Sequence, residues 1–435
     1  MKRILSTLTL LLCFAFTAVN AQVITVERAA EIANSFFSAG VQKSGAARGV
    51  VASSGLTASF DSNDVTDAAS TNPTFYVLTN PEGGFVIVSG EETENPIIGY
   101  SFDGTIDTSN LPDGFVDYMT DIDAQVKALR EYNANNPQKA AAARSAMARA
   151  ADYEYNATTM GNIVKDLKVA NFHQDPPFNN LCFTTDGRQA VAGCVPIAYA
   201  MLCNYYNWPI AATGTGVHAG TGETMQFGHE YDWNNILDDY SGTYTDEQAT
   251  AVATLVRDLG WAYQVGYGVS DTGSGKTEGA SVLIEQFGFK SLSTTHSSNT
   301  YATDRDVYNN DEGWKAIIKD CLNNNYPIPY SAYNTSTKGR HIFMLDGYTD
   351  NDYYHFNWGW GGRDDAYCAI GALNTTKYYF NTWNEALVDF YPKNNESYYQ
   401  CPEKINDLNL SETEDNAGVT ISWTNPLNNN FGDNL

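Results

Sequence analysis

The sequence predicts an α+β protein in which helical segments come before a sheet. Three observations support this class. Apolar residues recur at helical spacing near the N-terminus and again after residue 190. Apolar runs of strand length crowd the region after residue 325. The composition also shifts near residue 150 towards Tyr, Trp, Asn and Gly, which divides the 435 residues into a smaller N-terminal and a larger C-terminal region.

The first 21 residues have the pattern of a secretory signal. Lys2 and Arg3 precede an apolar run from Ile4 to Val19, and the small residue Ala21 follows. The run is short for a membrane span, although an uncleaved anchor is an alternative. We expect residues 1–21 to be a signal peptide cleaved after Ala21 and the mature chain to lack a membrane span. The protein is then secreted, with the periplasm or the cell surface as alternative destinations.

Residues 22–150 predict a small α+β domain. Its first helix follows from an apolar set at helical spacing, namely Ala29, Ile32, Ala33, Phe36 and Phe37. The stretch FYVLTNPEGGFVIVSG (75–90) predicts a hairpin, because two apolar runs flank a turn sequence. The stretch LPDGFVDYMTDIDAQVKALREY (111–132) predicts a second helix, with one apolar side formed by Phe115, Met119, Ile122, Val126 and Leu129.

An alanine-rich stretch, NPQKAAAARSAMARAADYEYN (136–156), joins the two regions. Alanine is the best helix former, so a linker helix is one interpretation. The other is a processing junction, because Lys139, Arg144 and Arg149 would be exposed in a flexible joint, where proteases cut. The second interpretation is favoured by the region that follows.

Residues 151–395 predict a second α+β domain. Helical patterns occur at 194–206, 246–259 and 313–323, and strand-like runs are IPYSAYNTS (328–336), HIFMLDGYTD (341–350) and YYHFNWGW (353–360). Residues 396–435 contain one plausible strand, VTISW (419–423), and are interpreted as a tail or as the start of a truncated β domain.

The net charge and the cysteine spacing exclude some classes of partner and of metal site. A net charge of −26 argues against nucleic acid, because phosphate binding needs basic patches. Six of the seven cysteines follow the signal peptide, and their wide, irregular spacing predicts neither a disulfide scaffold nor a zinc site. We expect most of them to be small buried hydrophobes, and we expect no metal and no cofactor.

Cys194 stands out among these cysteines, in GRQAVAGCVPIAYAMLCNYYNWP (187–209). Gly193 permits a close backbone approach, and Pro196 suits the first turn of a helix. The thiol would therefore lie at a helix N-terminus, where the dipole favours a thiolate. A buried structural cysteine is the alternative for Cys194. Cys203, nine residues on, faces the other side of the helix and is expected to lie in the core.

A base for this thiolate is His341, which opens the strand-like run HIFMLDGY. Most other histidines lie in polar loops, where we expect them to be solvated, and His355 lies among aromatic residues, where ring packing is expected. His341 follows Cys194 by 147 positions, within the 130–150 residues typical of papain-type enzymes. Asn357 comes sixteen residues later; its amide can fix the imidazole tautomer, and the neighbouring Trp358 can shield that bond.

With these residues, the sequence resembles the streptopain family of papain-fold cysteine proteases, which are secreted as zymogens. The matching stretches are the Cys194 segment, FHQDPPFNNLC (172–182), YDWNNIL (231–237), YGVSDTGSG (267–275) and GRHIFMLDGYTDNDYYHFNWGWGG (339–362). The resemblance covers about 155–392. The N-terminal hairpin and IIGYS (97–101) resemble the family's inhibitory prodomain. The fold class implied is a papain-like fold, with a helical part and an antiparallel sheet part, preceded by a small α+β prodomain.

The resemblance also implies roles for single residues. Cys194 would be the nucleophile, and His341 the general base and then the acid for the leaving amine. Asn357 would orient His341, and Trp358 would cover that contact. None of these roles requires a metal or a cofactor.

The family pattern places an oxyanion-hole glutamine at Gln174, acting with the backbone N–H of Cys194. Arg188 and Gln189 lie nearer to the cysteine in sequence and are alternatives for this role. Two departures from the family are the bulky Arg340 before the histidine, where relatives have glycine, and Pro196 in place of a small residue. Arg340 is expected to alter substrate preference, and neither change removes a catalytic group.

One further motif is rejected. SDTGSGKT (270–277) is similar to a phosphate-binding loop, but its first glycine is replaced by Ser270, and the preceding strand is poor. A mobile loop at the border of the active site is the better interpretation.

The sequence thus predicts a secreted cysteine endopeptidase made as a zymogen, which hydrolyses protein or peptide substrates and is inhibited by its own prodomain. A non-catalytic secreted binder is the alternative, because 28 Tyr and 8 Trp offer a surface for protein or glycan recognition. A transpeptidase or amidase that uses the same thiol is a second enzymatic alternative.

Overall fold

The structure is a computed structural model in which fourteen stretches of the chain can be described. They are residues 23–43, 55–66, 69–91, 96–102, 104, 106–135, 161–273, 279–291, 302–304, 311–333, 340–370, 385–392, 409–412 and 419–422. The expected signal peptide and the basic residues of the junction, Arg144 and Arg149 among them, lie outside these ranges. The predictions made for them, and the domain boundaries, therefore remain predictions.

The described residues of the N-terminal region form three helices and four strands. In chain order they are α1 (Val26–Lys43), β1 (Thr57–Asp61), α2 (Ser62–Thr66), β2 (Phe75–Thr79), β3 (Phe85–Ser89), β4 (Ile97–Ser101) and α3 (Asp113–Asn135). Strands β2 and β3 form the predicted hairpin, with Phe75 opposite Ser89 and Thr79 opposite Phe85. The two helices expected from apolar spacing are confirmed as α1 and α3.

The described part of the C-terminal region begins with short strands and four α-helices. They are β5 (Ile163–Asp166), α4 (Cys194–Tyr206), β6 (Thr215–Val217), β7 (Thr224–Gln226), α5 (Asp246–Ala262), α6 (Ala280–Glu285), β8 (Phe289–Ser291), β9 (Ala302–Asp304) and α7 (Asp311–Asn323). Helix α5 starts with a capping box, in which Thr245 and Gln248 each bond to the backbone of the other. The three predicted helices of this region are confirmed as α4, α5 and α7.

The remaining strands supply most of the sheet. They are β10 (Ile328–Tyr333), β11 (Arg340–Thr349), β12 (Tyr353–Asn357), β13 (Ala366–Ala369), β14 (Glu385–Leu387), β15 (Phe390–Pro392), β16 (Asn409–Glu412) and β17 (Val419–Ser422). The predicted strand near residue 420 is β17. It pairs with β16, which the sequence analysis did not identify.

One antiparallel sheet of 11 strands runs through both regions, in the order β1-β2-β3-β4-β13-β12-β11-β10-β14-β9, with β5 paired to β11. The two regions meet where Tyr100 and Gly99 of β4 lie opposite Tyr367 and Cys368 of β13. The N-terminal region therefore extends the sheet of the C-terminal region through backbone hydrogen bonds.

The apolar core is shared in the same way. The inward residues of β2, β3 and α3, such as Phe85 and Phe115, join one continuous cluster with α4, α5 and the central strands. A second cluster lies between α1 and the opposite face of β2–β4. The apolar side predicted for α3 is confirmed, because all five of its residues are buried against this core.

The cysteine predictions are largely confirmed. Among the described residues Cys182, Cys203, Cys321 and Cys368 are buried and free, and Cys194 is free and half-buried. The expectation of solvated histidines is wrong for His218. It is buried, its Nε2 lies 2.8 Å from the carbonyl oxygen of Phe183, and its ring packs against Trp261. Within the described ranges, no helix has both the length and the apolar character needed to cross a bilayer.

The junction between the two regions has a tight point at Gly99, which gives a stability prediction. A Cβ there would lie 3.1 Å from the Cys368 sulfur and 3.2 Å from the Tyr367 carbonyl oxygen. We expect Gly99→Val to lower the free energy of unfolding by about 1–3 kcal/mol, because two paired strands must separate. Denaturant unfolding measures this loss. Gly242→Val is the control, since a Cβ at Gly242 meets nothing within 4 Å; equal effects of the two changes would contradict the packing.

Candidate active site

Cys194 is the first residue of α4, and the turn before it depends on glycine. Gly193 has φ 90°, a left-handed conformation that side chains rarely adopt. A Cβ at this position would also lie 2.8 Å from the Cγ2 atom of Thr272. Most of α4 behind the cysteine is buried, so its N-terminus is fixed in position. A thiol at this end lies where the free N–H groups and the helix dipole favour negative charge.

His341 lies at the start of β11 and is opposite Ala332 of β10. Burial alone would lower the pKa of its imidazole. The nearby Cys194 sulfur, together with the carboxylates of Asp117 and Asp113, instead raises this pKa to about 9. The structure therefore brings Cys194 and His341 together, as the sequence predicted. The Nδ1 atom of His341 is buried and makes no hydrogen bond of ordinary geometry within the described part of the chain.

The other ring nitrogen of His341 faces the N-terminal region. Its Nε2 atom lies 3.4 Å from Oδ2 of Asp117, a buried residue in the second turn of α3. At a pKa of about 9 the imidazole is protonated at neutral pH, so the contact joins opposite charges. No local signal in the sequence marks Asp117, because the pattern of α3 indicates only its apolar side.

Asn357 ends β12 and is almost fully buried. Its side-chain nitrogen donates to the carbonyl oxygen of Ala170 at 3.2 Å, and its side-chain oxygen accepts from the N–H of Gly359 at 3.1 Å. These two hydrogen bonds hold the end of β12 and do not reach His341. The role of Asn357 in orienting the imidazole therefore remains a prediction.

Trp358 is held by hydrogen bonds at both its backbone and its ring. Its N–H donates to Oδ1 of Asp365 at 3.0 Å, and its indole N–H donates to the carbonyl oxygen of Asp364 at 2.8 Å. The indole packs 4.8 Å from the ring of Phe343, measured between centroids. Phe343 lies two residues after His341 on β11, so both side chains are on the same face of the strand. The indole therefore packs against the face of β11 that also carries His341.

The N-terminal region also covers Trp358. A Cβ at Gly114 of α3 would lie 3.1 Å from Cε3 of the indole, so the helix backbone touches the ring. The ring of Phe115, the next residue of α3, lies 5.8 Å from that of Trp358 with its edge towards it. Together with Asp117, these contacts place the first turns of α3 against His341 and Trp358.

Gln174 lies on a turn beside the nucleophile. Its carbonyl oxygen accepts a 3.0 Å hydrogen bond from Ala192, two residues before Cys194. The turn is fixed by His173, whose Nδ1 accepts from the N–H of Asp175 at 3.2 Å and whose ring packs 4.6 Å from that of Phe178. Gln174 is thus held beside the segment that leads into Cys194, and its oxyanion role remains a prediction.

The two alternatives to Gln174 are engaged elsewhere. Arg188 is exposed and pairs with Asp186 at 2.7 Å. The side-chain amide of Gln189 donates to the carbonyl oxygen of Cys182 at 3.0 Å and also to that of Asn179. Their side chains are therefore not directed to the thiol in this structure, which favours Gln174 for the oxyanion role.

His355 does more than pack among aromatic rings. Its ring lies 5.0 Å from that of Tyr367, as expected, but its Nδ1 atom is also 2.6 Å from Oδ1 of Asp346. Burial would lower the pKa of His355, yet Asp346 and Asp365 raise it to about 9. This ion pair lies on the strands that carry His341 and Asn357, so it stabilises the sheet behind the site.

Comparisons with known proteins agree with this geometry. The family described as "Peptidase C10 family" matches residues 172–368, and "Spi protease inhibitor" matches residues 21–126. Streptopain of Streptococcus pyogenes is 27% identical over 348 residues, which are 73% of this chain and 80% of streptopain. Thiol protease/hemagglutinin PrtT of Porphyromonas gingivalis is 26% identical over 423 residues, which are 91% of this chain and 45% of PrtT.

Among solved structures, a fragment of prointerpain A from Prevotella intermedia superposes with a TM-score of 0.53 at 25% identity. The alignment covers 73% of this chain and 96% of the fragment. It confirms the α+β, papain-like fold class with a domain that precedes the catalytic part. The chain therefore contains a cysteine endopeptidase domain that matches the peptidase C10 family, and this domain is preceded by one that matches the Spi protease inhibitor type.

Proposed function

We propose that the protein is a secreted cysteine endopeptidase made as a zymogen, in which Cys194 and His341 perform the reaction. The observation that carries the proposal is the position of the Cys194 thiol at a helix N-terminus, where it is near enough to the His341 imidazole to raise the pKa of that ring. Secretion rests on the signal pattern of residues 1–21.

The mechanism is acyl transfer through a thioester. The Cys194 thiolate attacks the carbonyl carbon of the scissile peptide bond, and the oxyanion that forms accepts hydrogen bonds from the Cys194 N–H and the Gln174 amide. Such donors contribute about 3 kcal/mol each to the transition state. The His341 imidazolium then gives its proton to the leaving amine, and the C–N bond breaks. Water, deprotonated by His341, attacks the thioester and releases the acid and the free thiol.

Latency is the second part of the proposal. The contacts that support it all come from α3, with the Asp117 carboxylate 3.4 Å from Nε2 of His341 and the Gly114 backbone against Trp358. A peptide substrate needs this space, because its carbonyl must reach Cys194 and its amine must reach His341. We therefore infer that residues from about 22 to 150 form a prodomain that blocks the site, and that cleavage near Arg144 or Arg149 releases it.

Thiol labelling tests the nucleophile. A thiol-directed epoxide should modify the processed protein at Cys194, and Cys194→Ala should abolish both labelling and peptide hydrolysis. Peptide mapping by mass spectrometry and a peptide assay measure these outcomes. Cys182→Ala is the matched control, since that thiol is buried and its raised pKa keeps it protonated. Full proteolysis by Cys194→Ala would contradict the proposal.

The contact of Asp117 with His341 predicts the rate of activation. Asp117→Asn keeps the shape of the side chain but removes the charge that pairs with the imidazolium, so the prodomain should dock less tightly. We expect the full-length chain to be processed about fivefold faster, the effect of about 1 kcal/mol. Gel electrophoresis over time measures processing. Glu131→Gln, an exposed change on the same helix, is the control; equal rates for wild type and Asp117→Asn would argue against this contact.

The raised pKa of His341 predicts a pH dependence. The protonated ring is stabilised in the folded chain, so its contribution is complete below the unfolded value of 6.5 and is lost as pH rises through about 9. The lost free energy of unfolding is on the order of 3 kcal/mol. The free energy of unfolding of full-length wild type and of His341→Gln is compared between pH 6 and 10, and the difference reports the contribution of His341 together with its partner Cys194. A difference that stays constant over this range would contradict the assigned pKa.

A further inference from the structure

Two charged residues of the loop between β12 and β13, Arg363 and Asp364, contact a single residue of the N-terminal domain. The N–H of Asp107 donates to Oδ1 of Asp364 at 3.3 Å. The carboxylate of the same Asp107 approaches Arg363, with 3.7 Å between Oδ2 and Nη1. The loop therefore binds one acidic residue at two points, its backbone N–H and its side chain.

The hydrogen-bonding capacity of these two residues is not exhausted. Asp364 is 0% exposed, yet its Oδ2 atom makes no hydrogen bond within the described part of the chain. The same holds for the buried Nε atom of Arg363, which lies 3.9 Å from that oxygen, too far for a hydrogen bond. Buried polar atoms without partners are rare in folded proteins and call for an explanation. A ligand that fits more closely than Asp107 would supply the missing bonds.

The two side chains are also held in place before any ligand binds. The guanidinium of Arg363 lies over the ring of Trp360, 4.8 Å from its centroid. Asp364 has φ 63°, a left-handed conformation that costs free energy in a residue other than glycine. Its carbonyl oxygen accepts the indole N–H of Trp358. Strain at a residue fixed on both sides is typical of binding sites.

The loop flanks the active site on the side of Trp358 and Gln174. Gly361 donates to the carbonyl oxygen of Phe172 at 2.8 Å, two residues before Gln174. In the proposed mechanism His341 protonates the departing amine. The peptide beyond the scissile bond therefore extends over the His341 and Trp358 side, towards Arg363 and Asp364.

We propose that Arg363 and Asp364 form a subsite for an acidic residue on the leaving-group side of peptide substrates. Arg363 binds the carboxylate of that residue, and Asp364 accepts its backbone N–H. In the intact chain Asp107 occupies the subsite, and after processing a substrate replaces it. This inference rests on the proposed function and adds a substrate preference to it.

The preference should be measurable but moderate. Arg363 and Asp107 are partly exposed, at 30% and 44% of their side chains. Ion pairs of this kind contribute up to about 1 kcal/mol, which is about fivefold in kcat/KM. A neutral residue in the subsite lacks the ion pair with Arg363 but keeps the backbone hydrogen bond to Asp364.

The test uses enzyme released from the full-length chain by processing and separated from its prodomain. Internally quenched peptides carry either Asp or Asn at each position in turn after the scissile bond. At one of these positions we expect kcat/KM to be about fivefold higher for the Asp peptide than for the Asn peptide. Arg363→Gln should abolish this preference, and Arg363→Glu should transfer it to Lys. Arg188→Gln is the control, because Arg188 is an exposed arginine that pairs away from the loop.

A peptidyl coumarin amide, which has no residues after the scissile bond, separates the subsite from the chemistry. Its kcat/KM should be unchanged in Arg363→Gln. The absence of an Asp preference at every position, or its persistence in Arg363→Gln, would overturn the proposed subsite while leaving the protease intact. If no substrate is cleaved, the coumarin amide included, the proposed function fails. The subsite is then tested by measuring the binding of the Asp and Asn peptides by fluorescence anisotropy. Equal affinities of the two peptides would overturn it.

Discussion

The interaction between the Cys194 thiol and the His341 imidazole depends on how α4 and β11 are fixed in the same core. Cys194 begins a helix whose inner residues are buried, and His341 begins a strand that pairs with β10, β12 and β5. The two residues are 147 positions apart, so only tertiary packing can bring them together. Gly193 is the local requirement, because its left-handed backbone and the Thr272 side chain beside it leave no room for a larger residue.

The N-terminal domain acts on this pair both through charge and through backbone pairing. Its helix α3 brings Asp117 to the imidazole, and β4 pairs with β13 of the catalytic sheet. Releasing the domain therefore requires the separation of paired strands and of a shared apolar core, besides the loss of one ion contact. In the proposed zymogen this explains how latency persists until the chain is cut, since exposed ion pairs alone contribute little.

Much of the fold could be predicted from the sequence, because apolar spacing reports burial directly. The side of α3 formed by Phe115, Met119 and Ile122 is buried as expected, and the expected hairpin forms around Asn80–Gly84. Pairing between distant strands could not be predicted in this way. Nothing local indicates that β4 pairs with β13, or that β16 pairs with β17.

The candidate active site was likewise predictable only where its residues carry local sequence patterns. Cys194 and His341 carried local signals, a helix start and a strand start, and the structure brings them together. Asp117 gave no signal, because an acidic residue on a helix is usually solvated, and its role depends on where the whole helix docks. Asp364 was missed for a similar reason, since its burial and its contact with Asp107 depend on tertiary packing. The sequence also gave no sign that the Asn357 amide would bond to Ala170 and Gly359.

The central claim is that a protonated His341 interacts with the Cys194 sulfur beneath the carboxylates of α3. The most direct measurement is a titration of the His341 ring by carbon-detected NMR in the intact chain, assigned with His341→Gln. We predict a pKa of about 9 for the His341 imidazole. A value at or below the 6.5 of an ordinary histidine would contradict it, because the imidazole would then lack both the thiolate and the carboxylates as partners.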